Sequence, residues 1–305
     1  MKIALVIPTL NGGEIFQRVI YALLAQALRP EIFLIIDSGS TDNSIDAAMA
    51  AGAKIHQIKK EDFNHGATRN LARNLVDADI YIFMTQDALP GDPYTLENLL
   101  SPFSMHPEVG VVYARQLPRC GAGPIEAFSR SFTYPAGSQL KKISDKSHLG
   151  IKTVHCSNAC AAYLREALVV AGGFPDNVIM CEDVYAAAKI MEAGYDIYYQ
   201  ADALVYHSHS YSVLQEFKRY FDIGVFYESM ENWIIEEFGG AGKQGLNFFL
   251  SGLQYLNKDH NYHLYPEWII RTLAKIIGYK LGANEKLLPS SLKKYLSMHR
   301  SFWKL

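Results

Sequence analysis

Cysteine is scarce. The chain has four in 305 residues (Cys120, Cys156, Cys160 and Cys181), with no C-x-x-C pair and none of the dense, even spacing of a disulfide-stapled secreted domain. They are expected to be reduced thiols of a cytoplasmic protein. An excess of one charge is lacking too. A formal net charge of -2 excludes a nucleic-acid binder that works by bulk electrostatics, so an anionic ligand has to be met by local groups. No apolar run approaches the ~20 residues a membrane span needs. The opening Met1-Lys2-Ile3-Ala4-Leu5-Val6-Ile7-Pro8 carries Pro8-Thr9-Leu10-Asn11 where a secretion signal would have a small-residue cleavage site, and it reads as a first strand. Neither G-x-G-x-x-G nor a P-loop is present, which disfavours the ordinary dinucleotide and ATP folds. There is no internal repeat and no low-complexity linker.

What is present is a folded chain, 49% hydrophobic and 12% aromatic. Its first part alternates strand-like and helix-like segments. Strands are expected at 2–7, 32–36, 54–58 and 80–84, and helices at 14–27, 42–51 and 67–76. This is the pattern of βαβ units and an α/β fold with a mostly parallel, Rossmann-like central sheet. The loops after the strands, Thr9–Gly13, Asp37–Asp42 and Thr85–Ala88, then share the edge where open α/β sheets bind ligands. Asp87 ends the fourth strand there, a carboxylate placed to meet a cation or a diphosphate; taken alone, an Asp before a Pro-Gly turn is more often a turn residue than a ligand.

Further on the pattern weakens. Residues 118–153, with Gly121, Gly123, Gly137 and the mixed charges of 141–146, suggest a mobile or acceptor-facing segment. A helix is expected at 184–193, short strands at 197–199 and 204–206, and helices past Ser212. The end is basic: Arg271, Lys275, Lys280, Lys286, Lys293, Lys294, Arg300 and Lys304 face only Glu267 and Glu285. With Trp268, Ile269, Ile270, Leu273, Ile276, Ile277 and Trp303 interleaved, it reads either as an amphipathic surface for anionic lipid or as a solvated helix face packed on the body.

Taken together, Pro8-Thr9-Leu10-Asn11-Gly12, Asp37-Ser38-Gly39-Ser40-Thr41-Asp42, Gly66-Ala67-Thr68-Arg69-Asn70, the Asp87 turn, Gly172-Gly173-Phe174, Glu182-Asp183 and His207 resemble, in order and spacing, the motifs of family-two inverting glycosyltransferases of the GT-A fold. The resemblance spans about residues 1–225. Phe63–Asn70, Thr85–Ala88 and His207–Ser212 resemble the rhamnosyltransferase branch.

The resemblance implies a nucleotide-sugar-binding half (1–117), an acceptor-binding half (118–225) and a helical C-terminal region (226–305). It implies Asp183 as the general base, with Glu182 supporting it or binding the acceptor. Donor contacts are expected from Pro8, Thr9, Asn11, Asp37, Ser38, Arg69, Gln86, Asp87 and Arg219. Asp87 and His207, with His209 in reserve, would hold Mg²⁺ or Mn²⁺. Two departures are visible. Gln86 stands where many relatives add a second acid, which leaves a single-carboxylate metal site and an amide for the ribose. Ser38 replaces an acid that pairs with uracil, which suits a thymine donor. Gln215–Tyr220 lacks the spacing and the Trp of the processive Q-x-x-R-W motif, so single-residue addition is expected. The implied reaction moves L-rhamnose from dTDP-β-L-rhamnose to a saccharide or polyprenyl-diphosphate-linked glycan in cell-surface polysaccharide synthesis. The expected setting is cytoplasmic, with peripheral contact at the inner membrane face through the C-terminal region. Another sugar nucleotide, such as UDP-N-acetylglucosamine, or donor binding without catalysis are the alternatives.

Overall fold

The computed structural model describes residues 1–240 and 242–303, so Lys304 of the basic end lies outside the described residues. Among the described residues nine strands form one sheet: β1 (Ile3–Thr9), β2 (Ile32–Asp37), β3 (Lys54–Gln57), β4 (Ile80–Met84), β5 (Leu89–Pro90), β6 (Val109–Leu117), β7 (Gln139–Lys141), β8 (Cys160–Leu164) and β9 (Asp196–Tyr206). Their order is β3-β2-β1-β4-β8-β6-β9-β5, with β7 paired to β9. The first four are mutually parallel, as is the β6–β9 pair, whereas β8 runs antiparallel between β4 and β6.

Thirteen helices are described: α1 (Gly13–Leu24), α2 (Ser44–Ala50), α3 (His65–Leu75), α4 (Thr95–Met105), α5 (Pro124–Thr133), α6 (Lys146–Leu149), α7 (Arg165–Val170), α8 (Glu182–Glu192), α9 (Val213–Gly224), α10 (Asn232–Phe238), α11 (Gly242–Lys258), α12 (Tyr265–Ala283) and α13 (Ser290–Leu296). Helices cover both faces of the sheet, so its central strands are apolar throughout. Along β1, Ala4 and Val6 join one core with α3, α8 and α9, while Leu5 and Ile7 join the other with α1 and α4. All five residues of β4 are buried. This is the GT-A-like α/β architecture with a C-terminal helical extension.

The expected helices and strands of the first 84 residues are present with ends moved by a few residues. Besides the short β5 and β7, two longer strands, β6 and β8, lie outside that expectation. The second, Cys-Ala-Ala-Tyr-Leu, has no β-branched residue and owes its form to pairing on both sides. The two short strands expected at 197–199 and 204–206 are one strand. Its register against β6 jumps from Ala114↔Gln200 to Arg115↔Leu204, so residues 201–203 bulge out.

Helices α9 and α12 touch backbone to backbone. A Cβ added at Gly278 or Gly282 would stand 2.4 or 1.9 Å from the carbonyl oxygens of Phe217 and Phe221. The tail differs from its expected form in one respect. Trp268 is fully buried, its indole N–H donating to the Phe249 carbonyl at 3.1 Å, because it fills a separate aromatic core between α5 and α11. Trp303 packs against the main core, so neither tryptophan serves as an exposed lipid-facing ring.

Candidate active site

One end of the site is built at the start of α8. Asn64 caps α3 by accepting from the Gly66 and Ala67 amides. Two turns of that helix then clamp the loop that leads to α8. The Asn70 side chain donates to the Phe174 carbonyl at 2.7 Å and accepts from its amide at 2.9 Å. At Gly66 a Cβ would lie 1.7 Å from the Pro175 carbonyl oxygen, so only glycine permits the approach. Cys181, in the left-handed region at φ 62°, then turns the chain into Glu182 and Asp183.

Of these neighbouring acids Glu182 is buried and Asp183 partly buried, and the two are held in opposite states. Asp183 accepts from the amides of Asn158 (3.0 Å) and Val184 (2.9 Å). Burial, then the charge of Glu182, outweighs these bonds and raises its pKa to about 7. Burial acts on Glu182 too, but Arg69, 2.9 Å away, and His65 prevail and hold its pKa below the ordinary value. The Asn158 amide also donates to Glu182, and its oxygen accepts from Tyr163. A carboxylate with near-neutral proton affinity beside one whose proton affinity is lowered has the character of a general base and its support.

The other end lies where β4 stops. Asp87 Oδ2 accepts from Arg119 at 2.7 Å, and its Oδ1 faces His207 Nε2 at 3.5 Å. His209 Nε2 is 3.9 Å from Oδ2. Burial would raise the Asp87 pKa, but the hydrogen bond and charge of His207 outweigh it and hold the group well below the usual carboxylate range. Burial, then the charge of His207, lowers His209 to about 4, leaving a neutral ring at pH 7. One ligand atom from each of Asp87, His207 and His209 lies within 4.8 Å of the others, an oxygen and imidazole set suited to a divalent cation.

The histidine tautomer follows from its neighbours. Arg130 meets one Gln116 side-chain atom at 2.6 Å and, having only donors, identifies it as the amide oxygen. That oxygen lies 3.0 Å from His207 Nδ1, so Nδ1 carries a proton and donates to it, which leaves Nε2 as the ring nitrogen that faces Asp87. The Gln116 NH₂ donates to Tyr134 and Ser157. Ser157 and Asn158 are thus adjacent residues that serve opposite ends, one the His207 support and the other Asp183.

The loops after β1, β2 and β4 converge on the expected edge and are tied together. Gln86 accepts from the Leu10 amide at 2.8 Å and donates to its carbonyl at 3.1 Å, so both ends of its amide join the β1 and β4 loops. Asn11 accepts from the Thr41 amide, the Ser38 hydroxyl donates to the Thr9 carbonyl, and Asp37 accepts from Gly39 and Ser40. Pro8 and Thr9 close β1 in register with Ile36 and Asp37. Arg69 stands apart from this group. Its guanidinium is buried, paired with Glu182 and donating to the His65 carbonyl, so its charge supports the acid pair. Arg219 lies 6.0 Å from the Tyr211 ring on the wall of a cavity of about 740 Å³. The same cavity is lined by α5, by His209–Ser212 and by Glu267, Arg271 and Lys275 of α12, and it opens beside the histidine cluster.

Sequence reasoning missed Arg119, Gln116 and Arg130. Only Arg119 carried a signal, as the first cation after β6 in a segment expected to face the acceptor.

A Rossmann-like α/β half that ends in a cation-ready carboxylate, together with an acid pair of opposed proton affinities at the start of α8, is the arrangement of a nucleotide-sugar transferase. The family model for "Glycosyl transferase family 2" matches residues 4–170. The O-antigen chain rhamnosyltransferase RfbN of Salmonella typhimurium is 43% identical over 305 residues, covering 99% of this chain and 96% of that protein. The O-antigen chain rhamnosyltransferase WbaN of Salmonella anatum is 41% identical, covering 98% and 95%. The chain belongs to glycosyl transferase family 2. Among solved structures, the mannosyltransferase PcManGT of Pyrobaculum calidifontis, in complex with GDP-Man and Mn²⁺, shares the fold at 16% identity with a TM-score of 0.59, covering 93% of this chain and 86% of that one.

Proposed function

We propose that the protein is an inverting rhamnosyltransferase that moves L-rhamnose from dTDP-β-L-rhamnose to a glycan acceptor in cell-surface polysaccharide synthesis. The observation that carries the chemistry is the pair of aspartates tuned in opposite directions, Asp87 below and Asp183 above the ordinary carboxylate range. Similarity over nearly the whole length to two O-antigen chain rhamnosyltransferases supports the donor sugar and the pathway.

Asp183 takes the proton of the acceptor hydroxyl as that oxygen attacks the anomeric carbon on the face opposite the leaving diphosphate. Glu182, held ionised by Arg69, keeps Asp183 basic enough for the task. The β1, β2 and β4 loops bind the nucleotide, with Ser38 leaving room for thymine. Arg119 and Arg219 are cations available to the diphosphate. Asp87 and His207, with His209, would hold the cation, and the Nε2 that Gln116 turns toward Asp87 by engaging Nδ1 fits that role. When bound, Mg²⁺ or Mn²⁺ supplies positive charge against the leaving diphosphate. The glycan acceptor occupies the cavity beside His209. The reaction belongs in the cytoplasm, where the nucleotide sugar is available, and the acceptor is a lipid-linked glycan.

The test is a transfer and donor-hydrolysis screen of dTDP-β-L-rhamnose against UDP and GDP sugars, each with Mg²⁺, Mn²⁺ or chelator. Turnover of the dTDP-rhamnose donor, lost with chelator, is expected. Preference for a UDP sugar overturns the donor assignment, and full turnover in chelator overturns the metal.

A further inference from the structure

Helix α12 has two dissimilar sides. One carries Glu267, Arg271 and Lys275 into the acceptor cavity, and Gly278 and Gly282 against α9. The other presents Ile269, Ile270, Leu273, Ile276 and Ile277, each 45–54% exposed, at the spacing of one helical face. Five branched aliphatics on one side of a helix about 28 Å long exceed the scattered apolar residues of an ordinary surface.

Charge indicates what covers them. Ion pairs hold three of the basic residues of this end: Arg271, Lys275 and Lys293 are bound to Glu216, Glu267 or Glu285. Among the described residues Lys280, Lys286, Lys294 and Arg300 have no acid within 4.0 Å. Of these, Lys280, in line with the aliphatic stripe, and Lys286 just beyond it are exposed. The stripe itself contains no acid, and Glu267 at its margin is held by Arg271. A second copy of the chain on this face would set Lys280 and Lys286 of both copies together, because a two-fold contact opposes a patch to itself.

From this we infer that α12 is a membrane-docking helix that lies in the headgroup region of an anionic bilayer, aliphatic side inward, with Lys280 and Lys286 on the phosphates. Because the opposite side of the helix walls the acceptor cavity, docking sets that cavity about one helix diameter, roughly 10–12 Å, from the lipid. A glycan whose carrier remains in the bilayer then enters the cavity from the α12 side. The identity of that glycan rests on the transferase reading; the docking does not.

The test is vesicle sedimentation with the full chain, using phosphatidylcholine vesicles with and without phosphatidylglycerol, alongside donor hydrolysis in vesicle-free solution. Wild type should bind the anionic vesicles and release as salt rises. The triple variant Ile269→Gln, Leu273→Gln and Ile277→Gln should lose on the order of ten-fold or more in partitioning. Its donor hydrolysis should be unchanged, since these side chains touch neither the cavity nor the core. If it does not fold, Lys280→Glu with Lys286→Glu serves instead and should weaken binding to anionic vesicles alone. Wild type free of both vesicle types, binding unaltered by either set of substitutions, or a dimer in light scattering that the triple variant abolishes would each overturn the proposal. Docking that persists while the dTDP donor fails would sink the donor assignment and leave α12 as a membrane helix.

Discussion

Asp87 and Asp183 are the same side chain at the same edge of the sheet, and the fold drives them in opposite directions. Burial raises both. At Asp87 it is outweighed by His207, with Arg119 on the second oxygen, whereas at Asp183 the nearest charge is the like charge of Glu182. The difference teaches that the neighbours, and not depth, decide the sign. A carboxylate among cations stays ionised to hold a metal or oppose a diphosphate. One beside an acid keeps its proton affinity close to that of neutral solution and can exchange a proton there.

Removing one member of the comparison has the largest effect. Asp183→Asn should cut kcat by on the order of 10³-fold while donor binding, measured by calorimetry, is retained. It should also stabilise the fold at high pH. Asp183 is raised from 3.8 to about 7 on folding, so the folded state binds its proton more tightly. Ionisation therefore costs stability as pH rises through that interval. Thermal melts should find the variant more stable than wild type at pH 8, with the gap closing toward pH 4. Asp87→Asn should lose on the order of 10²-fold in kcat/KM and weaken Mn²⁺ binding in calorimetry, with the acid limb of the rate profile left in place. A shift of that limb would mean that the two ends are not separate.

Glu182→Gln tests the cause of the contrast. Removing the like charge lowers the Asp183 pKa, so the acid limb of kcat/KM should move to lower pH. The Arg69 guanidinium, buried and stripped of its carboxylate, should cost about 3–5 kcal/mol in denaturant unfolding. An unmoved limb would assign the raised pKa to burial alone.

The two ends are unequally legible in the sequence. Strands buried on both faces, such as β1 and β4, appear as continuous apolar runs, and these runs alone place the donor loops and Asp87. A β6 signal exists in Val109, Val111 and Val112, whereas the apolar but unbranched β8 has little to show. Arg119, Gln116 and Arg130 escape because their roles arise from chain crossings. Gln116 meets His207 across 91 positions, and no local pattern encodes such a contact. Arg69 carries the opposite lesson. Its position in the motif is evident, but a helix cation directed to a phosphate and one buried against Glu182 look identical in one dimension. Trp268 and the aliphatics that follow it, Ile269 and Leu273 among them, part in the same way. The aromatic that the lipid-surface reading put outside is core and the aliphatics beside it are exposed, because α12 turns its Trp268 side toward α11.

The smallest expected effect isolates the metal end from its surroundings. Gln86 occupies the place of a second acid, yet its amide is engaged at both atoms by the Leu10 backbone. Its role on this geometry is to hold the β1 loop against the β4 loop beside Asp87, and each of the two bonds is worth about 0.5–1.5 kcal/mol. Gln86→Ala should therefore raise the donor KM by a few-fold with kcat, Mn²⁺ affinity and the acid limb unchanged, because neither aspartate loses a partner. If Gln86→Glu instead tightens Mn²⁺ binding, the added carboxylate has left Leu10 and joined Asp87. The neutral amide would then be what keeps this site to a single acid.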